Sequence, residues 1–316
     1  MKQASPYSAR NISLLVLGNL ACCTSILFIK SSSMHPVLLS AYRLILASAV
    51  LSPLFLRAWR EHRDTFPTKS LRGALIPGAF LGLHFISWIM GARMTAAVNS
   101  TAIVNLIPLV SPALLFFLAG EKLNPREWQG SLVAFGGVML LAGRDYHLSE
   151  QYFWGDVLCF VSMLLAACYL VLGRRNRHFP SIWLYLVPLY TMGAVCCLIA
   201  SFWFEPPFSV DYDLFEWSMM VGLGLVPTVI GHSLLNNAMR YFRGQIVSLS
   251  NFGQPLFAGL FAFLILHEVP DPIIVPAGVL IAIGVAIALL KPSRPIEEPA
   301  ANPPPGLRNP QPRLHR

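Results

Sequence analysis

The sequence predicts an all-α integral membrane protein with ten transmembrane helices arranged as two inverted five-helix repeats. Three observations predict it. Hydrophobic residues make up 55% of the chain and charged residues 12%, whereas a soluble domain carries about 25% charged residues to cover itself in water. Ten apolar runs approach the roughly 20 residues that a spanning helix needs. The chain also nearly repeats itself at an offset of 147 residues: Pro108, Glu121, Pro125 and Gly137 recur as Pro255, Glu268, Pro272 and Gly284. Arg93 recurs as Arg240, Phe116 as Phe263 and Val138 as Val285, with no gap between residues 84 and 142.

Residues 1–11 read as a cytoplasmic N-terminus, mildly basic ahead of an apolar run. A cleaved signal peptide is the alternative. It is set aside because the run that follows has a counterpart helix in the second half. The first unit, 12–142, holds helices at about 12–30, 36–56, 73–91, 95–119 and 127–142. An outer loop, 143–155, leads to the second unit, 156–290, with helices at about 156–173, 182–204, 217–238, 245–267 and 273–290. Several runs are shorter than 20 residues, which suits helices that tilt little. The tail, 291–316, carries eight prolines in 26 residues, a composition that predicts disorder outside the membrane.

Charge sets the orientation. With the N-terminus inside, nineteen lysines and arginines fall in inner segments and only Lys30, Arg93 and Arg144 fall outside, with Arg43 inside a helix. This asymmetry places both termini in the cytoplasm of a plasma (inner) membrane protein. The outer segment 205–216 agrees, with four acids and no base. Five helices per unit is an odd number, so the second unit runs upside down relative to the first. The net charge of +8 therefore reads as a topology signal rather than a nucleic-acid patch. Cys22, Cys23, Cys159, Cys168, Cys196 and Cys197 all lie in apolar runs without CxxC spacing, which reads as helix filler and not as a disulfide or metal set. His267-Glu268 lacks the second histidine of a zinc protease motif, and no P-loop, GxSxG or dinucleotide fingerprint occurs. An enzyme or an ATP-driven pump is disfavoured on that basis, and no cofactor is expected.

The candidate site residues are polar groups inside the apolar runs. Arg43 lies seven residues into helix 2, about 10 Å from its outer end at 1.5 Å per residue. A charge there costs about 3 kcal/mol on insertion scales, so it must face protein or water. It is a receptor for an anionic substrate group or a structural pin, and Asp156 is its candidate partner. His84 and Trp88 share a face of helix 3, where an aromatic wall beside a polar group suits a metabolite or a cation; ordinary packing is the competing reading. His232 and Asn236 share a face of helix 8. His232 is a candidate for proton coupling, and so is Glu268, although capping at the membrane edge also explains Glu268. Pro108 and Pro255 each remove a backbone hydrogen bond and loosen the helix four residues earlier, near Val104 and Asn251. With Asn105, Asn251 and Gln254 around them, they read as paired hinges beside the pathway, or else as static kinks.

Several motifs resemble the EamA unit of the drug/metabolite transporter superfamily. They are Trp154-Gly155-Asp156 followed by Ser162, Tyr169 and Arg174-Arg175; Trp88-x-x-Gly91-Ala92; Gly120-Glu121-Lys122-Leu123; Asn237-Ala238; and His35-Pro36 with Arg43 downstream. The resemblance covers nearly all of 10–291. It implies a secondary carrier, commonly an exporter of amino acids or other small metabolites, working by alternating access between the two units. It also implies that helices 5 and 10 stand away from the cavity, where their glycines would support a homodimer. The units differ, since Leu235 stands at the Trp88 position and Leu186 or Val187 at the Arg43 position. Alternatives are an uncoupled facilitator, an exporter of cationic drugs or amines, and, in another class, an intramembrane lipid-handling protein.

Overall fold

A computed structural model describes residues 8–120, 125–142, 150–242, 244–267 and 272–289. The described residues are helical with no strand. Helix α1 (Ala9–Cys23) is capped by Ser8 Oγ, which accepts from Asn11 N at 3.4 Å. It passes through Thr24 into α2 (Ser25–Ser31). Helix α3 (Pro36–His62) starts with proline in its first turn, where no intrahelical N–H is lost. Helix α4 (Leu75–Met94) follows a 3-10 segment, Thr68–Ala74. Helices α5 (Ala97–Val104) and α6 (Ile107–Leu114) continue into a π segment, Leu115–Ala119, and α7 (Pro125–Ala142) ends the first half.

The second half contains α8 (Glu150–Gly173), a 3-10 segment Arg174–His178, α9 (Trp183–Phe204) and α10 (Leu214–Leu223). A π segment, Gly224–His232, joins α10 to α11 (Ser233–Tyr241). Helix α12 (Gly244–Ser250), a 3-10 turn Asn251–Gly253, α13 (Gln254–Leu266) and α14 (Ile274–Leu289) complete it. Among the described residues, eight continuous helical stretches are long and apolar enough to cross a membrane. Helices α7 and α14 have 18 and 16 residues and are not among those eight.

Several expectations are corrected in detail. Helix α8 begins at Glu150, inside the segment read as an outer loop. The first span is interrupted at Thr24, and the eighth carries the π segment. Glu121, Glu268 and the tail from residue 290 lie outside the described residues.

Packing depends on close backbone approach. A Cβ on Gly82 of α4 would sit 2.7 Å from the Gly193 carbonyl of α9, and one on Gly91 would sit 2.7 Å from the Gly155 carbonyl of α8. Gly137 and Gly284 bring α7 and α14 together, with ideal Cβ positions 2.6 Å from Ala277 O and 2.5 Å from Gly130 O. Small residues at such seams let apolar helices gain dispersion contacts that lipid cannot offer. The larger apolar cluster fills the centre with Phe85, Tyr169, Tyr185, Tyr190 and Leu186. Phe117, Phe202, Trp203 and Leu264 are exposed on the outside, as a surface facing hydrocarbon requires.

Candidate functional site

Helix breaks build the site. Val104 ends α5, Asn105 and Leu106 lie outside helix, and α6 begins with Pro108 in its first turn. The corresponding break, Asn251–Gly253, is a single 3-10 turn ahead of Gln254 and Pro255. Both breaks fall where proline withholds an N–H. They expose amide side chains to one another. Gln254 Nε2 donates to Asn19 Oδ1 at 3.0 Å, Asn19 Nδ2 donates to Ser250 Oγ at 2.9 Å, and Asn105 Nδ2 reaches Gln254 Oε1 at 3.4 Å.

Beside this amide cluster lies a cavity of about 50 Å³, room for roughly three to five waters at 10–15 Å³ each. Its wall brings together six of the eight residues singled out in the sequence: His84, Trp88, Asn105, His232, Asn251 and Gln254. Cys22, Ser25, Tyr169 and Leu235 line it as well. Tyr169 stands more than five turns into α8, within the apolar stretch 163–173. A lone phenol in such a run is the signal that would have found it, because a buried hydroxyl needs a partner. That partner is Asn236, whose Nδ2 donates to the Tyr169 hydroxyl and to His232 O at 2.8 Å. Asn236 is thus one layer behind the wall rather than in it.

The rings are ordered. His84 and Trp88 stack with centroids 6.1 Å apart and 4° between planes, as the four-residue spacing predicts. His84 Nδ1 is 3.0 Å from Ser162 O and 2.7 Å from Ser162 Oγ. The carbonyl can only accept, so Nδ1 carries the proton and Nε2 is the acceptor. Phe85 meets His232 edge-on at 5.1 Å.

Arg43 is fully buried. Its guanidinium carbon sits 3.9 Å over the Phe85 ring, the ring that meets His232 of the cavity wall. Nε donates to Thr228 Oγ1 at 2.9 Å, and Thr228 Oγ1 donates to Leu223 O at 2.9 Å, a bond made within the π segment. The partnership with Asp156 does not form. Arg43 faces α9 and the π segment, and Thr228 and Phe85 take the places a carboxylate would fill. Nη1 and Nη2 of Arg43 and Nε1 of Trp88 are buried donors without a hydrogen-bond partner. None of the described lining residues is acidic. Trp88 Nε1 is therefore the unpartnered donor of the described wall, and the Arg43 cation lies over Phe85, which packs on His232 of that wall.

A model of the EamA-like transporter family matches residues 10–143 and again 153–290. An uncharacterized transporter of Archaeoglobus fulgidus is 26% identical over 289 residues, covering 88% of this chain and 96% of that protein. The aromatic amino acid exporter YddG of Ancylobacter novellus is 23% identical over 67% of this chain and 74% of its own length. The pseudopaline exporter CntI of Pseudomonas aeruginosa is 22% identical over 66% and 72%. A solved crystal structure at 21% identity overlays with a TM-score of 0.71, covering 89% of this chain and 97% of the other, a likeness of fold. With both halves matched by one family model, the chain belongs to the EamA-like transporter family.

Proposed function

We propose that this protein exports a small carboxylate-bearing metabolite, an amino acid or a related compound, across the inner membrane by alternating access. The observation that carries the reading is the cavity itself: the unpartnered Trp88 Nε1 donor and no acid in the described wall, with the buried Arg43 guanidinium beside it over Phe85, at the meeting point of two broken helices. Unpaired donors in a low-dielectric site favour a ligand that accepts hydrogen bonds and bears negative charge. Two relatives are named as exporters, one of them of aromatic amino acids, which supports both direction and class.

Ten spanning helices in inverted five-helix units complete the reading. Pairwise packing supports it: α3 packs on α9 and α7 on α14, each pair joining equivalent helices of the two units, and the two broken helices pack crosswise, α5 on α13 and α6 on α12. The contact of α4 with α8 has its counterpart in that of α11 with α1. The paired breaks at Pro108 and Pro255 act as the hinges, and His232 is the candidate for coupling to protons. Both termini face the cytoplasm on the charge asymmetry. The stack of His84 on Trp88 favours a second reading, an exporter of cationic amines, against which Arg43 stands.

A thermal-shift screen of the purified protein with amino acids, other carboxylates, polyamines and cationic dyes tests this. A carboxylate at 100 times its dissociation constant should stabilise by about 2.7 kcal/mol, and the same compound should leave loaded proteoliposomes. Stabilisation by polyamines or dyes alone would replace the reading with the amine exporter.

A further inference from the structure

The turn between α2 and α3 is held from two sides. Arg93, at the end of α4, grips its carbonyls: Nε donates to Ile29 O at 3.1 Å and Nη1 to Met34 O at 2.7 Å. Glu216, in the first turn of α10, grips its donors. The Glu216 carboxylate accepts from Ser33 N and Ser33 Oγ, both at 2.8 Å, from Met34 N at 3.1 Å and from Ser32 Oγ. Arg93 belongs to the same half as the turn, whereas Glu216 reaches across from the other half. Glu216 is itself held in place, since its N–H donates to Asp213 Oδ1 at 2.9 Å. Beside it, Tyr42 of α3 packs on Trp217 at 5.4 Å, and His35 N donates to the Tyr212 hydroxyl at 3.1 Å.

The opposite face lacks this latch. The 147-residue counterpart of Arg93 is Arg240, and it keeps the arginine grip, with Nη2 donating to Phe179 O at 3.1 Å. Lys69, near Phe66 on that face, is exposed. Contact across the halves there is aromatic, Phe66 against Phe179 at 5.2 Å. One face is closed by a carboxylate with four accepted hydrogen bonds, the other by ring packing.

We propose that Glu216 is the latch of the outer gate, and that a proton taken up from the outer face releases it. This rests on the transport reading and topology proposed above. Two of the four donors are backbone N–H groups, which cannot turn into acceptors. When external water delivers a proton to a carboxylate oxygen, an O–H bond forms among groups that are themselves donors. At least one accepted hydrogen bond is lost, and the attraction of the ionised form for the α3 N-terminus goes with it. The proton returns to the outer face when the latch reforms, so the device senses external pH and moves no net proton.

Other titratable groups at this face are Lys30 on α2, His35 and Tyr42 on α3, Arg93 on α4, and Glu205, Asp211, Tyr212 and Asp213 in the segment before α10. Burial pushes the Tyr212 hydroxyl up to about 12, helped by its bond to Glu205, so it stays a phenol. Burial lowers the His35 imidazole below its ordinary value, so it protonates later than a free histidine. The sign follows: the ionised carboxylate holds the gate, and the hold is lost as external pH falls through the Glu216 titration.

The experiment is a spin-label distance measurement on the full chain in nanodiscs, with Ser31→Cys and Ser218→Cys as label sites and the native cysteines replaced. At about pH 7.5 wild type should show mainly one short distance, and at about pH 3.5, below the ordinary carboxylate range, a longer population should grow. Glu216→Gln should show that longer population at both pH values, raised at least about tenfold at neutral pH. Should Glu216→Gln fold poorly, Ser32→Ala with Ser33→Ala weakens the latch from the other side and should move half-opening to higher pH. An unchanged distance in Glu216→Gln at neutral pH, or a pH response that persists in it, overturns the proposal. If no solute is ever transported, the transport reading fails, while the distances still decide the latch.

Discussion

Arg43 shows how a single residue was both legible and opaque. A charge in an apolar run must be buried in protein or water, so its importance is visible without coordinates. Its surroundings were not visible. Asp156 was the nearest acid by topology, yet the guanidinium lies between Phe85 and Thr228. Thr228 reaches it from a π segment that no sequence period announces. Breaking a buried ion pair is costly, but removing a buried charge that lacks a partner relieves desolvation. Arg43→Met should therefore leave the unliganded protein as stable as wild type, or more stable by about 1–4 kcal/mol. It should also lose the stabilisation given by a carboxylate ligand. Both are read from thermal unfolding with and without ligand. A variant that unfolds several degrees earlier and still responds to ligand would make Arg43 a structural pin. Asn236→Leu tests the layer behind the wall. It strips the Tyr169 hydroxyl of its partner at a fully buried position, and an unsatisfied buried hydroxyl costs about 1–3 kcal/mol. A lower melting temperature with altered ligand response is expected.

At the scale of elements, eight of the ten apolar runs returned as helical stretches long and apolar enough to cross a membrane, and the other two as the shorter helices α7 and α14; in hydrocarbon the backbone has no other partner than itself. The breaks beside Pro108 and Pro255 were legible for the same reason in reverse: proline withholds a donor, and the helix must open near it. The interruption at Thr24 was not legible. Neither was the π segment, although Pro227 inside it withholds an N–H; α1 and α3 pack against it. Glycines divide similarly. Gly136 and Gly137 look alike in sequence, but a Cβ on Gly136 meets nothing within 4 Å while one on Gly137 meets Ala277 O at 2.6 Å. Gly137→Ala should thus force α7 from α14 and cost about 1–3 kcal/mol, the usual range for overpacking. Gly136→Ala should be neutral or stabilising. Melting temperatures of the two variants check the pair. The same seam bears on the dimer expected from α7 and α14. Gly130, Gly137 and Gly284 are consumed by contact within the chain, so a dimer would have to use the exposed faces carrying Trp128, Leu132, Val275 and Val279.

For the whole molecule, the relative orientation of the two units decides the mechanism. Two units in the same orientation would put equivalent loops on one face, and the cavity would have no pair of opposed gates. Two inverted units put each loop opposite its equivalent, so that opening one end and closing the other are the same motion performed by alternate halves. The different fastenings of the two faces then acquire meaning. In the proposed scheme Glu216 strengthens one gate, while the other is left to Phe66 and Phe179. Such a molecule rests with the latched face shut and yields at the other. Asp64 and Asp211 are 147 residues apart, and both are exposed, so they report orientation directly. With native cysteines replaced, Asp64→Cys in intact cells should resist a membrane-impermeant maleimide until the membrane is opened, whereas Asp211→Cys should react at once. Labelling of both positions from the same side would mean parallel units. It would leave the shared family and cavity standing but remove the two-gate mechanism, because a latch and its equivalent on one face cannot alternate.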